Sequence, residues 1–272
     1  MTWPPRSILV GTDFSAGADA AFRAALALAR RVGARIDLVH VEVGENAGRA
    51  RAQLDQLARD AAPAHVETHL VAGDPLTELL AQRELLGADL VAVGGAGLRG
   101  LRRALLGSVA GQLLHQPGCP LLLVTEPPPA GEFKKILVAQ ESFPAASPWL
   151  GAGLHLAHDE RSEVVLLHVL PEDAGDAPRA ERQLAALAAG VDRTVPAQVE
   201  VRRGDPAREI PAAARAAGVH LVVLGAERGG ASGGAPGRVA DRVARAGLPA
   251  LLVVWPEPES DEPFETSALA EE

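Results

Sequence analysis

The residues best placed to do chemistry stand between Gly94 and Val109. Gly94, Gly97, Gly107 and Ser108 follow the spacing G-x2-G-x9-G-S. Glycines allow a ligand to approach the backbone closely and permit positive φ. Gly107 directly precedes a predicted helix, so the N–H groups of Ser108 and Val109 are left without intrahelical partners and, with the helix dipole, can hold phosphate. The Ser108 hydroxyl adds a donor. Arg99, Arg102 and Arg103 lie on the same loop, where phosphate contact and a solvated face are equally good readings. A second candidate is Asp13, in Gly11-Thr12-Asp13-Phe14-Ser15, whose carboxylate could accept from the adenosine part of a ligand. The plainer reading of Asp13 is a cap on the helix that follows.

Two loops can face one crevice only if the elements around them bring them together. Continuous apolar runs near 7–12, 36–42, 65–71, 89–94 and 120–125 read as strands buried on both faces of a parallel sheet. Helices are predicted between them. One is capped by Ser15, with Phe22, Ala25, Leu26 and Ala29 as its apolar stripe. One runs near 46–61, one starts at Asp74-Pro75 and one at Gly107-Ser108. Such alternation predicts a doubly wound, five-stranded α/β (Rossmann-like) sheet with right-handed crossovers. Ligands of such sheets bind beyond the carboxyl ends of the strands, where the loops after the first and fourth strands meet.

The pattern occurs twice. GDPLTELLAQRELLGADLVAVG from Gly73 aligns without a gap with GDPAREIPAAARAAGVHLVVLG from Gly204. Leu38-Val39-His40-Val41 matches Leu167-His168-Val169, and the first and last strands recur in the same order. The chain therefore divides into a domain at 1–126, a Pro-rich linker at 127–132, a second domain at 133–255 and an acidic tail at 256–272 read as disordered. The second copy departs where the chemistry lies. Glu141 replaces Asp13, Arg228 replaces Gly97, Arg238 replaces Ser108, Glu227 adds a negative charge, and the loop to Gly237 is one residue shorter. Either the copy is structural, or Arg228 and Arg238 clamp a different anion.

Composition excludes several classes. The formal charge of −9 is concentrated in the tail, so the body offers no broad attraction to nucleic acid or anionic membrane. Aromatics are 3%, too few for stacking platforms. A single cysteine, Cys119, forbids an internal disulfide and reads as a small buried residue. No signal peptide or membrane span is visible, which makes a cytoplasmic protein the expectation. No Walker run, dinucleotide fingerprint or zinc spacing occurs. His155, His158 and Asp159 fall close together on a predicted helix and could make a weak metal site, though ordinary helix-surface residues are the better reading; His40 and His168 read as satisfied strand histidines.

The first copy resembles the universal stress protein family. The resemblance rests on Ile8 to Ser15, on Leu38-Val39-His40-Val41, on the G-x2-G-x9-G-S run and on Cys119-Pro120-Leu121-Leu122-Leu123-Val124. It implies ATP, or an AMP- or ADP-type ligand, with or without Mg. Asp13 and the Val41 backbone would meet adenosine; Thr12 would line the site; Gly94, Gly97, Gly107, Ser108 and Val109 would hold ribose and phosphates. The resemblance also implies pairing through the last strand, either between the two halves as a pseudo-dimer or between chains as a homodimer. A regulatory binding role, with an unknown protein partner, is the expected function. No base for activating water stands out, so efficient catalysis is not expected. The alternatives are a slow hydrolase or autophosphorylating protein modified at Ser108, and a ligand-free scaffold.

Overall fold

The structure, a computed structural model, describes residues 3–43, 47–95, 106–116, 120–129, 132–141, 147–173, 175–189, 195–226 and 238–255. Gly97, Arg99, Arg102, Arg103, Cys119, Glu227, Arg228, Gly237 and the acidic tail lie outside the described residues.

The first half runs β1 (Ser7–Gly11), α1 (Ala16–Val32), β2 (Arg35–Glu42), α2 (Ala47–Asp60), β3 (Val66–Ala72), α3 (Pro75–Leu86), β4 (Leu90–Gly94), α4 (Ser108–Leu113) and β5 (Leu121–Val124). The second repeats it as β6 (Lys135–Gln140), α5 (Pro148–Glu160), β7 (Glu163–Leu170), α6 (Ala177–Ala189), β8 (Ala197–Arg203), α7 (Pro206–Ala217), β9 (Leu221–Gly225), α8 (Arg238–Ala244) and β10 (Ala250–Val254).

Local chemistry explains the boundaries. Ser15 accepts from the Ala18 N–H at 3.2 Å and caps α1, which ends on Gly33 in the left-handed conformation. Phe22, Ala25 and Ala29 of the expected stripe are buried, but Leu28 takes the inner position and Leu26 is only half-buried. The repeated Gly-Asp-Pro has a separate reason at each residue. Gly73 and Gly204 hold φ of 149° and 129°. Asp74 and Asp205 then cap α3 and α7, and Pro takes the first turn, where its missing N–H costs nothing.

These caps carry a pH dependence. The Thr77 N–H bound to Asp74 holds that carboxyl below its ordinary 3.8, and the Arg242 guanidinium, with the Ala207 N–H, does the same for Asp205. A depressed carboxylate stabilises the fold above its unfolded value and loses that contribution as pH falls through the folded one. In thermal melts, Asp74→Asn should therefore lie below the parent at neutral pH, and the gap should narrow below pH 3.8. A constant gap would mean that the charge of the cap contributes nothing.

Alternate strand residues feed two cores. Ile8, Val10, Ile36 and Leu38 pack with Phe22, Leu28 and Leu54 beneath α1 and α2. Leu9, Val39, Val91 and Val93 pack with Leu79 and Leu113 beneath α3 and α4. The second half repeats both layers, with Leu156 and Leu184 in the first core and Ile210 and Val243 in the second. Two five-stranded parallel sheets were expected, and both are present, but they are fused. One 10-stranded sheet has the order β3-β2-β1-β4-β5-β10-β9-β6-β7-β8. Its one antiparallel junction pairs Leu121–Val124 of β5 with Ala250–Val253 of β10. The reason is burial. β5 and β10 are fully apolar on both faces, so each covers the other's edge and both cores continue across the seam.

Candidate functional site

The order β2-β1-β4 reverses the chain direction of winding beside β1, and a cleft of about 520 Å³ opens there at the carboxyl ends of the strands. Thr12, Asp13, Val41, Gly94, Gly107, Ser108 and Val109 all line it. Of the expected site residues, Gly97 alone lies outside the described residues.

Thr12 continues the ladder, its N–H donating to the Val39 carbonyl at 2.9 Å, while its hydroxyl oxygen accepts from the Phe14 N–H at 3.0 Å. Phe14 takes a left-handed backbone, φ 59°, uncommon for a bulky residue. Its ring lies 4.4 Å from that of His40. This turn sets Asp13 on the lip, exposed, with one carboxylate oxygen accepting from the Ser15 N–H at 2.9 Å. Asp13 is therefore not the helix cap of its plainer reading, a role Ser15 fills; it tightens the turn before that cap and lines the cleft. His40 Nδ1 lies 2.8 Å from the Thr12 carbonyl, which can only accept, so that nitrogen carries the proton. His168 repeats the bond to the Gln140 carbonyl at 2.7 Å.

The two described glycines of the motif differ. Gly94 does not take positive φ, contrary to the expectation; it is an ordinary strand residue. A Cβ on it would stand 2.4 Å from the Gly17 carbonyl carbon and 2.6 Å from the Ala18 nitrogen. Its smallness lets the first turn of α1 press against the end of β4. Gly107 is the opposite case. It caps α4 with φ −60° and ψ 152°, accessible to any residue, and a Cβ there meets nothing within 4 Å. Among the described residues nothing fills the space at Gly107, and the helix that follows starts with N–H groups at Ser108 and Val109 that have no intrahelical acceptor. Across the cleft lie Val41, Pro75 and Leu79, with Val43 at 77% exposure. The lining thus combines donors for an anion at Ser108 and Val109 with apolar side chains that a flat group could lie against.

The second half has its own cleft, about 490 Å³, lined by Gln140, Glu141, Trp149, His168 and Val239. Trp149 stands where Gly17 stands in the first half, two residues after the helix cap. A Cβ on Gly225 would meet its ring at 2.5 Å. Ser147, which caps α5, lies farther along the chain from Glu141 than Ser15 does from Asp13. Arg238 begins α8 and is exposed. The clefts share a position but not a lining.

Among the described residues, the group that could hold a metal is not on the helix of His155 and His158. It is Asp37, Glu67 and His69. Sequence reasoning missed it, although an acid inside the apolar run RIDLVHVE and the alternation His65-x-Glu67-x-His69 were visible signals.

Among the described residues, no helix is long and apolar enough to cross a membrane. The family model for the universal stress protein family matches residues 5–63, 42–125 and 132–254. A universal stress protein of Mycolicibacterium smegmatis is 31% identical over 290 aligned positions, covering 92% of this chain and 97% of that protein. A universal stress protein from Archaeoglobus fulgidus superposes with a TM-score of 0.74 at 20% identity, covering 91% of this chain and 97% of that one. A functionally unknown protein from Pseudomonas aeruginosa gives 0.71 at 20% identity, over 93% of each chain. These two structures speak to the fold alone. With both halves matched by the family model and one relative aligned nearly end to end, the chain belongs to the universal stress protein family.

Proposed function

We propose that the first half holds an adenine nucleotide, ATP or its ADP or AMP form, with Mg at the phosphates, and that the protein is a regulatory nucleotide-binding module of the stress response. The observation that carries this reading is Gly107: a helix start with open space above it among the described residues, inside a cleft that also presents the apolar side chains of Val41, Pro75 and Leu79. Phosphates would sit on the N–H groups of Ser108 and Val109, with Gly94 and Gly97 along the ribose. Adenosine would lie toward Asp13, Thr12 and the Val41 backbone. The second half, with Trp149 in its cleft and Arg238 in place of Ser108 at the start of α8, would serve as the structural partner of a pseudo-dimer across β5 and β10. In this reading the domains are 1–126 and 133–255, the setting is cytoplasmic, and an unknown protein partner or a second copy of the chain reads the bound state.

The test is to purify the chain without added nucleotide, denature it and separate the released adenine nucleotides. A single ATP per chain is the expected result. Two per chain would reject the structural reading of the second half. ADP or AMP alone would favour slow hydrolysis. Ser108, exposed in the same cleft, supports a second reading, autophosphorylation, which would show as a phosphopeptide containing Ser108 after incubation with ATP and Mg. No nucleotide on purification or in titration would leave the ligand-free scaffold.

A further inference from the structure

We propose that Asp37, Glu67 and His69 form a site for a divalent transition cation of the zinc class. The site is separate from the cleft. Val41, on the cleft, is four residues beyond Asp37, about 13 Å along the strand.

Parallel register sets Asp37 of β2 beside Glu67 of β3 and Val39 beside His69. Alternate residues of a strand share a face, so His65, Glu67 and His69 point to one side of the edge strand, where Asp37 also points. The ligand atoms of Asp37, Glu67 and His69 lie within 4.8 Å of one another. His65 Nε2 lies 3.9 Å from Glu67 Oε1. Exposure grades outward: the side chain of Asp37 is 1% exposed, His69 22%, Glu67 55% and His65 69%. An ion would thus enter from solvent and end on a buried carboxylate.

That carboxylate is already oriented. Its Oδ2 accepts from the Ser7 hydroxyl at 3.3 Å and from Arg35 Nε at 3.1 Å, while Oδ1 turns to His69 Nε2 at 3.0 Å. Arg35 is anchored in turn on the Leu86 carbonyl. Ser7 and Arg35 hold one oxygen so that the other faces the site, as outer partners of metal ligands do. Arg35 offsets only one of the two acids that face the site. Without metal, His69 Nε2–H donates to Asp37. With metal, Nε2 must present its lone pair to the ion, and any ring proton sits on Nδ1.

The second half serves as an internal control. The same registers put Val165, Gln198 and Glu200 at the positions of Asp37, Glu67 and His69. Val165 is buried, and its strands pair as well as their counterparts. The fold therefore does not require a buried acid here, and burying one is unfavourable unless something compensates. Mixed imidazole and carboxylate donors suit zinc-class ions, whereas magnesium and calcium prefer oxygen alone.

The full-length protein, stripped with a chelator, would be titrated with Zn²⁺ in competition with a chromogenic chelator. A single ion per chain, in the micromolar range or tighter, is expected. His69→Gln, which keeps an amide donor for Asp37, and the exposed Glu67→Gln should each weaken binding roughly tenfold or more with unchanged circular dichroism. His155→Gln with His158→Gln should change nothing. The proposal is overturned if the parent binds no more Zn²⁺ than the His69→Gln/Glu67→Gln double variant, or if either single variant keeps parental affinity.

Discussion

Gly107→Leu is expected to fold like the parent and to lose adenine nucleotide. The backbone at 107 is open to any residue, and a Cβ there touches nothing within 4 Å among the described residues, so they give the fold no reason to resist. The new side chain would occupy the space above the Ser108 and Val109 N–H groups. Denying a phosphate two charge-assisted hydrogen bonds, at about 1.5 kcal/mol each, weakens binding by roughly 100-fold. Gly107→Ala, with one methyl, should fall between. Isothermal titration with ATP, alongside thermal melts, separates the two effects. Parental affinity in Gly107→Leu would remove the phosphate subsite from this helix start; a collapse of the melting temperature would show that the glycine serves the fold.

Gly94→Ala is expected to do the reverse, through the fold. Its methyl would lie 2.4 Å from the backbone carbon of Gly17, and neither a helix start nor a central strand can yield locally. β4 and α1 must separate, opening the core around Ile8, Ala21 and Leu90. Overpacking of this kind costs about 3 kcal/mol or more, equivalent to a fall of roughly 6–12 °C in melting temperature for a chain of this size. Gly225→Ala should cost less, because its methyl meets the Trp149 ring, a side chain that can tilt, rather than backbone. Equal losses at the two positions would mean that the first half has more slack than its geometry implies. Nucleotide affinity in any folded Gly94→Ala protein would then report how far the cleft tolerates a displaced α1.

Together the two variants separate roles that one motif conceals. In sequence, Gly94 and Gly107 are members of a single glycine pattern. In the fold, one is small because a helix presses on it, and the other because nothing does. Spacing along the chain cannot tell these apart, since the neighbour that makes the difference, Gly17, is far away in sequence.

Much was legible from residues alone. Buried parallel strands announce themselves as short apolar runs, helix starts as Ser15, Asp74 and Asp205 with their prolines, and the duplication as a gapless alignment. All of these are local, set by backbone preferences and by the period of apolar residues. The convergence of Thr12, Asp13, Val41, Gly107, Ser108 and Val109 on one cleft also followed, because strand order in a doubly wound sheet fixes where loops meet. Tertiary structure alone decided the rest. Pairing through the last strand was implied by the resemblance, but that β5 meets β10 within one chain, and in which register, depends on two apolar edges finding each other. Trp149 fills space that only the packed helix defines. The meeting of Asp37 with His69 depends on the register between β2 and β3, and register is fixed by burial of whole faces, which no single strand encodes.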